Sequence, residues 1–195
     1  MIAFDAVIVA GGRGSRLGGV AKPGLSLGGR RLLDIALAAA SDARRVVVVG
    51  DLAVPEGVLL TREDPPWGGP VAGVEAGLAA LADHAPWTLL LAADLPDAEA
   101  AVAELLAAAS SPAAQAADGV CLLDATGRLQ WLLGVYRTDA VAGRLAARAA
   151  EGFTAMYRLL EPLDLVGVVP RAASVADVDT PEDAARWGVE EETCT

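Results

Sequence analysis

The chain has 195 residues (19.8 kDa), 54% of them apolar and 21% charged, with a formal net charge of −11 and a pI near 4.4. That mixture excludes a disordered or fibrous chain, and the acidity excludes generic binding of nucleic acid, which needs a basic face. The length suffices for one domain with a substantial core. The apolar runs are too short to cross a bilayer, and no basic segment followed by a long apolar one opens the chain, so a cytoplasmic protein with no membrane partner is expected. Cys121, in an apolar run, and Cys194, near the chain end, form neither a metal-binding spacing nor a disulfide framework, which points to a reducing compartment.

In chain order, "AVIVA" (6–10), "RVVVVG" (45–50), "WTLLLAA" (87–93), "GVCLL" (119–123) and "QWLLGVY" (130–136) are short, nearly continuous apolar runs bounded by turn formers. They read as buried strands. Ala/Leu-rich stretches at 30–43, 69–85 and 97–110 have the composition of helix formers. Alternation of the two predicts a single-domain, three-layer α/β/α fold with a mostly parallel, Rossmann-like sheet, its ligands bound beyond the carboxyl ends of the strands. Further on, "TPEDAARW" (180–187) offers Thr180 as N-cap and Pro181 at the first helical position. The domain is expected to span 1–187, with 188–195 a frayed acidic tail.

The first predicted strand runs into "AGGRGSRLGGVAKP" (10–23). Between Ala6 and Leu33 there is no Asp or Glu, whereas Arg13, Arg16, Lys22, Arg30 and Arg31 all lie there, a positive island in an acidic chain. Lys22 is the only lysine among 15 basic residues. Glycines after a strand let the backbone approach a ligand and aim successive N–H groups at phosphate oxygens. Two phosphate loops fail on spacing. In GxGxxG the third glycine position is Leu17, and in GxxxxGK[ST] Lys22 follows Ala21 and precedes Pro23.

The pattern that fits, from Val9 to Asp34, resembles that of the nucleotidyltransferases of sugar-nucleotide and cofactor type. Further stretches, "EDPPWGGPVAG" (63–73), "LLAADLP" (90–96), "QWLLGVYR" (130–137) and "VADVDTPED" (175–183), make the chain most similar to the molybdenum cofactor guanylyltransferases over roughly the whole domain. The resemblance implies the nucleotide-diphospho-sugar transferase fold, GTP as donor, molybdopterin carrying molybdenum as acceptor, Mg²⁺ as cofactor, and contacts with other proteins of cofactor biosynthesis.

Each candidate residue has two readings. Ala10, Gly11, Gly12 and Gly14 make either a tight strand-to-helix turn or, by resemblance, the cradle for the phosphates. Arg16 and Lys22 are either solvated charges or phosphate contacts, Lys22 by resemblance holding the α-phosphate. Asp94, closing a buried strand, either caps the helix that starts near Asp97 or, by resemblance, ligates Mg²⁺. Asp179 is a second metal candidate or simply the residue before the Thr180 cap; many relatives have Asn there. By resemblance Asp64 reads the guanine edge, and Gly69, Pro70 and Gly73 admit base and ribose. Where relatives often carry an Asn that contacts guanine, this chain has Gly50 and Asp51.

Trp87 and Trp131, in strands, read as core, and Trp67, among prolines and glycines, as the tryptophan nearest a ligand. Arg137 and Arg158 are either contacts for the acceptor phosphate or solvated charges, and His84 has no assigned role. Two alternatives stay open: a cytidylyl- or guanylyltransferase for another small phosphate, and a nucleotide-binding protein without turnover.

Overall fold

A strand can be apolar on both faces only where both faces are covered, and the first strand shows how this chain meets that condition. The structure, a computed structural model, describes residues 2–11, 25–66, 68–152, 154–171 and 189–191. In β1 (Phe4–Val9) all six residues are buried. Phe4, Ala6 and Ile8 face one core cluster, while Val7 and Val9 face the other. The first cluster is completed by α1 (Leu32–Ala39), α3 (Ala98–Ala109) and the short α4 (Pro112–Ala116), the second by α2 (Pro70–Ala79), α5 (Thr138–Glu151) and α6 (Met156–Leu160). Among the described residues, no helix is long and apolar enough to cross a membrane.

The remaining strands of the main sheet are β4 (Val46–Val49), β5 (Leu59–Thr61), β6 (Trp87–Ala92), β7 (Gly119–Leu123), β8 (Leu129–Arg137) and β9 (Leu165–Val168). Their order is β5-β4-β1-β6-β8-β7-β9. Six run parallel and β8 alone is reversed, antiparallel to both its neighbours. The mostly parallel three-layer expectation holds. From β1 the chain crosses through α1 to β4 on one side, then through α2, on the opposite face, to β6 on the other side. The sheet therefore has its topological switch between β1 and β6, the place where open α/β sheets bind ligands.

A second, small sheet of β10-β2-β3 joins β2 (Leu25–Leu27) to β3 (Arg30–Arg31) and to β10 (Val189–Glu191). Those last three residues belong to the segment read as a frayed tail; instead they pair antiparallel with Leu25–Leu27. The helices read at 30–43 and 69–85 are shorter, at Leu32–Ala39 and Pro70–Ala79, because their flanks supply β3 and turns.

Two glycines set how closely α2 lies on the sheet. A Cβ at Gly77 would overlap Val7 Cγ1 and lie 3.1 Å from Val49 Cγ2; one at Gly73 would meet Val9 Cγ1 at 3.5 Å and Val49 Cγ1 at 3.7 Å. The absent side chains thus face the sheet, and they let helix and strands approach.

Candidate functional site

The ladder continues one residue past the ends of the parallel strands. Ala10 N donates to Val49 O at 2.8 Å, Ala93 N to Val9 O at 3.1 Å and Gly50 N to Thr61 O at 2.9 Å. With Val9 opposite Ala92 in the register, this brings Gly11 and Asp94 to the ends of neighbouring strands at the switch point. Ala10 is buried beneath them, Gly11 is exposed and Asp94 is half-buried. Strand spacing sets the two backbones about 5 Å apart.

Asp94 does not cap α3. The N-cap is Asp97, which makes no side-chain capping bond. The capping reading therefore falls, and the Asp94 carboxylate stands at the wall of a pocket of about 230 Å³ shared with Leu95, Gln130, Trp131, Leu133 and Met156.

On the other side of the crevice, Gly69 is the N-cap of α2 at φ +85° and ψ 176°, a conformation open to glycine alone, and Pro70 takes the first helical position, where its missing N–H costs nothing. No side chain caps this end and no acid occupies the first turn, so its N–H groups present a positive end. Asp64 is exposed and lines a groove of about 600 Å³ with Arg62, Gly68, Ala72, Arg148 and Thr154. Asp51, also exposed, pairs with Arg62 at 3.0 Å. Such a surface pair is worth about 1 kcal/mol at most. Gly50 is buried, and a Cβ there would lie 3.3 Å from the Ala10 carbonyl oxygen.

Of the positive island, the two described arginines are engaged elsewhere. Arg30 pairs with Glu99 at 2.7 Å, and Arg31 grips Asp34 through two bonds of 2.9 and 2.7 Å. The Arg31 hydrogen bond holds the Asp34 carboxyl below its ordinary range. Arg13, Arg16 and Lys22 lie outside the described residues, together with Gly12, Gly14, Trp67 and Asp179.

Arg137 is far from this crevice, because β8 is reversed. It stands opposite Trp87, at the start of β6, with its guanidinium 4.1 Å from the Trp87 ring centroid and donating to Gln115 O. The same reversal brings the start of β8 to the crevice, so Gln130 and Trp131 arrive beside Asp94. Trp87 is core, as read; Trp131 is half-buried, packing against the second core cluster and also lining the pocket. Arg158 is exposed, with its Nε 3.3 Å from the Tyr157 hydroxyl. Glu63 is a further residue not singled out from the sequence: its Oε1 is 4.0 Å from where a Cβ on Gly11 would stand.

A glycine and an aspartate at the ends of neighbouring strands across a topological switch are an arrangement many nucleotide-binding sheets share, so relatives decide the family. The profile described as MobA-like NTP transferase domain matches residues 6–166. The chain belongs to that family. As a MobA-like nucleotidyltransferase it is an enzyme. It is 37% identical over 161 residues to a molybdenum cofactor guanylyltransferase of Acidiphilium cryptum, covering 74% of this chain and 81% of that one.

Among solved structures, the molybdopterin-guanine dinucleotide biosynthesis protein A of Archaeoglobus fulgidus superposes with a TM-score of 0.68 at 20% identity, covering 97% and 98% of the two chains. The 2-C-methyl-D-erythritol 4-phosphate cytidylyltransferase of Thermus thermophilus superposes with a TM-score of 0.70 at 21% identity, covering 95% and 97%. At such identities the MobA-like nucleotidyltransferase shares the fold with both, and the base is left to the residues of the crevice.

Proposed function

We propose that the enzyme transfers GMP from GTP to molybdopterin carrying molybdenum, yielding the guanine dinucleotide and pyrophosphate with Mg²⁺ as cofactor, the acceptor arriving from other proteins of cofactor biosynthesis. The observation that carries this reading is the meeting of Gly11 and Asp94 at the switch between β1 and β6, in a family of nucleotidyltransferases. In it Ala10, Gly11, Gly12 and Gly14 turn their backbone toward the phosphates, Arg16 and Lys22 contact the α-phosphate region, and the α2 terminus at Gly69 and Pro70 faces the nucleotide. Asp64 accepts from the ring N–H and amino group of guanine. Gly73 serves by letting α2 sit close to Val9 and Val49, which keeps that terminus at the crevice.

Asp94 is a hard oxygen donor suited to Mg²⁺, and Asp179 is the second candidate. Among the described residues, no three acidic, His or Cys side chains gather into a metal cluster. Mg²⁺ takes one or two carboxylates and fills the rest of its shell with phosphate oxygens and water. When bound, Mg²⁺ supplies positive charge to the triphosphate oxygens.

An acceptor phosphate oxygen forms the new bond to the α-phosphorus, and the bond to the β-bridging oxygen breaks, its electron pair leaving with pyrophosphate. Lys22, Arg16 and the backbone N–H groups neutralise the charge that spreads over the α-phosphate. The acceptor phosphate is ionised near neutral pH, so no general base is needed.

CTP as donor is a second reading, favoured by Gly50. No side chain at that position can reach a base, and Asp51 beyond it is paired with Arg62. Pyrophosphate release measured with each of the four triphosphates, with and without molybdopterin, separates the two. Release with GTP and molybdopterin together is expected; turnover with CTP alone overturns the guanine assignment. A nucleotide that binds the folded protein also raises its apparent stability, so a thermal-shift panel orders the four donors independently.

A further inference from the structure

Given a nucleotidyl-transfer site at Asp94, we propose that Gln130 and Trp131 form the seat for the acceptor's ring, a flat, hydrogen-bonding heterocycle whose phosphate is thereby presented beside Asp94. The pocket holds about 230 Å³, room for a fused bicyclic ring. Its walls divide by chemistry: Leu95, Leu133 and Met156 are apolar, Trp131 offers an aromatic surface, and Asp94 and Gln130 are polar. A half-buried indole in such a wall gives a stacking surface for a planar π-system.

The two residues are fixed by partners that ordinary strand pairing does not supply. The β7–β8 register shifts between Cys121 and Leu123. At this irregularity Cys121 Sγ donates to the Gln130 carbonyl at 3.2 Å and the Tyr136 hydroxyl donates to the Trp131 carbonyl at 2.9 Å. The Gln130 side chain is held as well, its Nε2 donating to Asp124 Oδ2 at 3.0 Å. Asp124 is itself fixed by the Thr126 hydroxyl and by the backbone N–H groups of Thr126 and Arg128. Asp124 therefore sets the amide's orientation, leaving Gln130 Oε1 as an acceptor for ring N–H groups. Irregularities of this kind recur beside active sites, where they re-aim side chains.

Gln130→Ala, Trp131→Leu and Trp131→Phe, assayed with GTP and molybdopterin, test the seat. Gln130→Ala and Trp131→Leu are expected to raise KM for molybdopterin roughly tenfold, the scale of one lost stacking or hydrogen-bonding contact, with KM for GTP and the GTP thermal shift unchanged. Trp131→Phe, which keeps an aromatic face, is expected to restore most of the loss. An unchanged acceptor KM in Gln130→Ala, or an equal rise in both KM values in any of the variants, overturns the assignment even if Trp131→Leu fails to fold.

Wild-type protein that never releases pyrophosphate with molybdopterin refutes the transfer reaction and not the pocket. A free pterin then decides the pocket separately: it should quench tryptophan fluorescence in the wild type and lose that quenching in Trp131→Phe. Equal quenching in the two proteins overturns the seat.

Discussion

The Tyr136 hydroxyl donates 2.9 Å back along its own strand to the carbonyl of Trp131. The ring can lie along β8 because Gly134 has no side chain; a Cβ there would overlap the phenol oxygen. Tyr136→Phe leaves a part-buried carbonyl without its donor. We expect a loss of about 1–3 kcal/mol in chemical denaturation and a higher KM for the acceptor, with KM for GTP unaffected. Gly134→Ala should do the same by displacing the ring.

The Cys121 thiol, beneath that bond, is pushed by burial from its ordinary 9.0 up to about 11. The unfolded chain loses this proton first, so the stabilisation is complete below pH 9.0 and disappears as pH rises through about 11. The slope is about 1.4 kcal/mol per pH unit. Tyr136, raised well above its usual value by burial, acts in the same direction. With only two tyrosines and one lysine in the chain, few other groups titrate in this window. Denaturation at pH 8 and pH 10.5 should show the decline, reduced in Cys121→Ala. In a Cys194→Ala background, Cys121 should react with a thiol reagent only as the protein unfolds.

Gly77 and Gly73 separate packing from ligand contact. Gly77→Ala forces a methyl into Val7 and should cost about 1–3 kcal/mol, partly offset by the better helix propensity of alanine. Gly73→Ala meets only ordinary contacts, so its stability should stay within about 1 kcal/mol of the parent and its GTP thermal shift should persist. A Gly73→Ala protein that is stable yet loses that shift returns this glycine to the nucleotide.

Asp94→Asn keeps the shape of the side chain and removes its charge. Pyrophosphate release is expected to fall by roughly 10² or more, as when one electrostatic contact to the transition state is lost. The loss should be seen well below the variant's denaturation midpoint, which separates it from any change in stability. Unimpaired turnover would remove Asp94 from the reaction.

The strands at 6–10, 87–93 and 119–123 were legible because burial on both faces leaves a continuous apolar run. Asp94 was legible because a carboxylate ending such a run needs a reason. Strand direction was not: nothing in "QWLLGVYR" says which end meets the ligands. The reversal of β8 exchanges the apparent roles of its two ends, taking Arg137 away and bringing Gln130 and Trp131 in. Short strands such as Leu59–Thr61 and Val189–Glu191 carry too few residues for a period to show and depend on partners distant in sequence. Likewise, the positive island shrank because Glu99 lies 69 residues from the Arg30 it neutralises.

The reversed strand has an evolutionary consequence. On the proposed reading, donor recognition draws on the β1, β4 and β5 side of the sheet, whereas the β7–β8 hairpin reaches Asp94 from the opposite flank. Lineages could therefore lengthen, shorten or resequence residues 124–128 and acquire a new acceptor while the donor half stayed untouched.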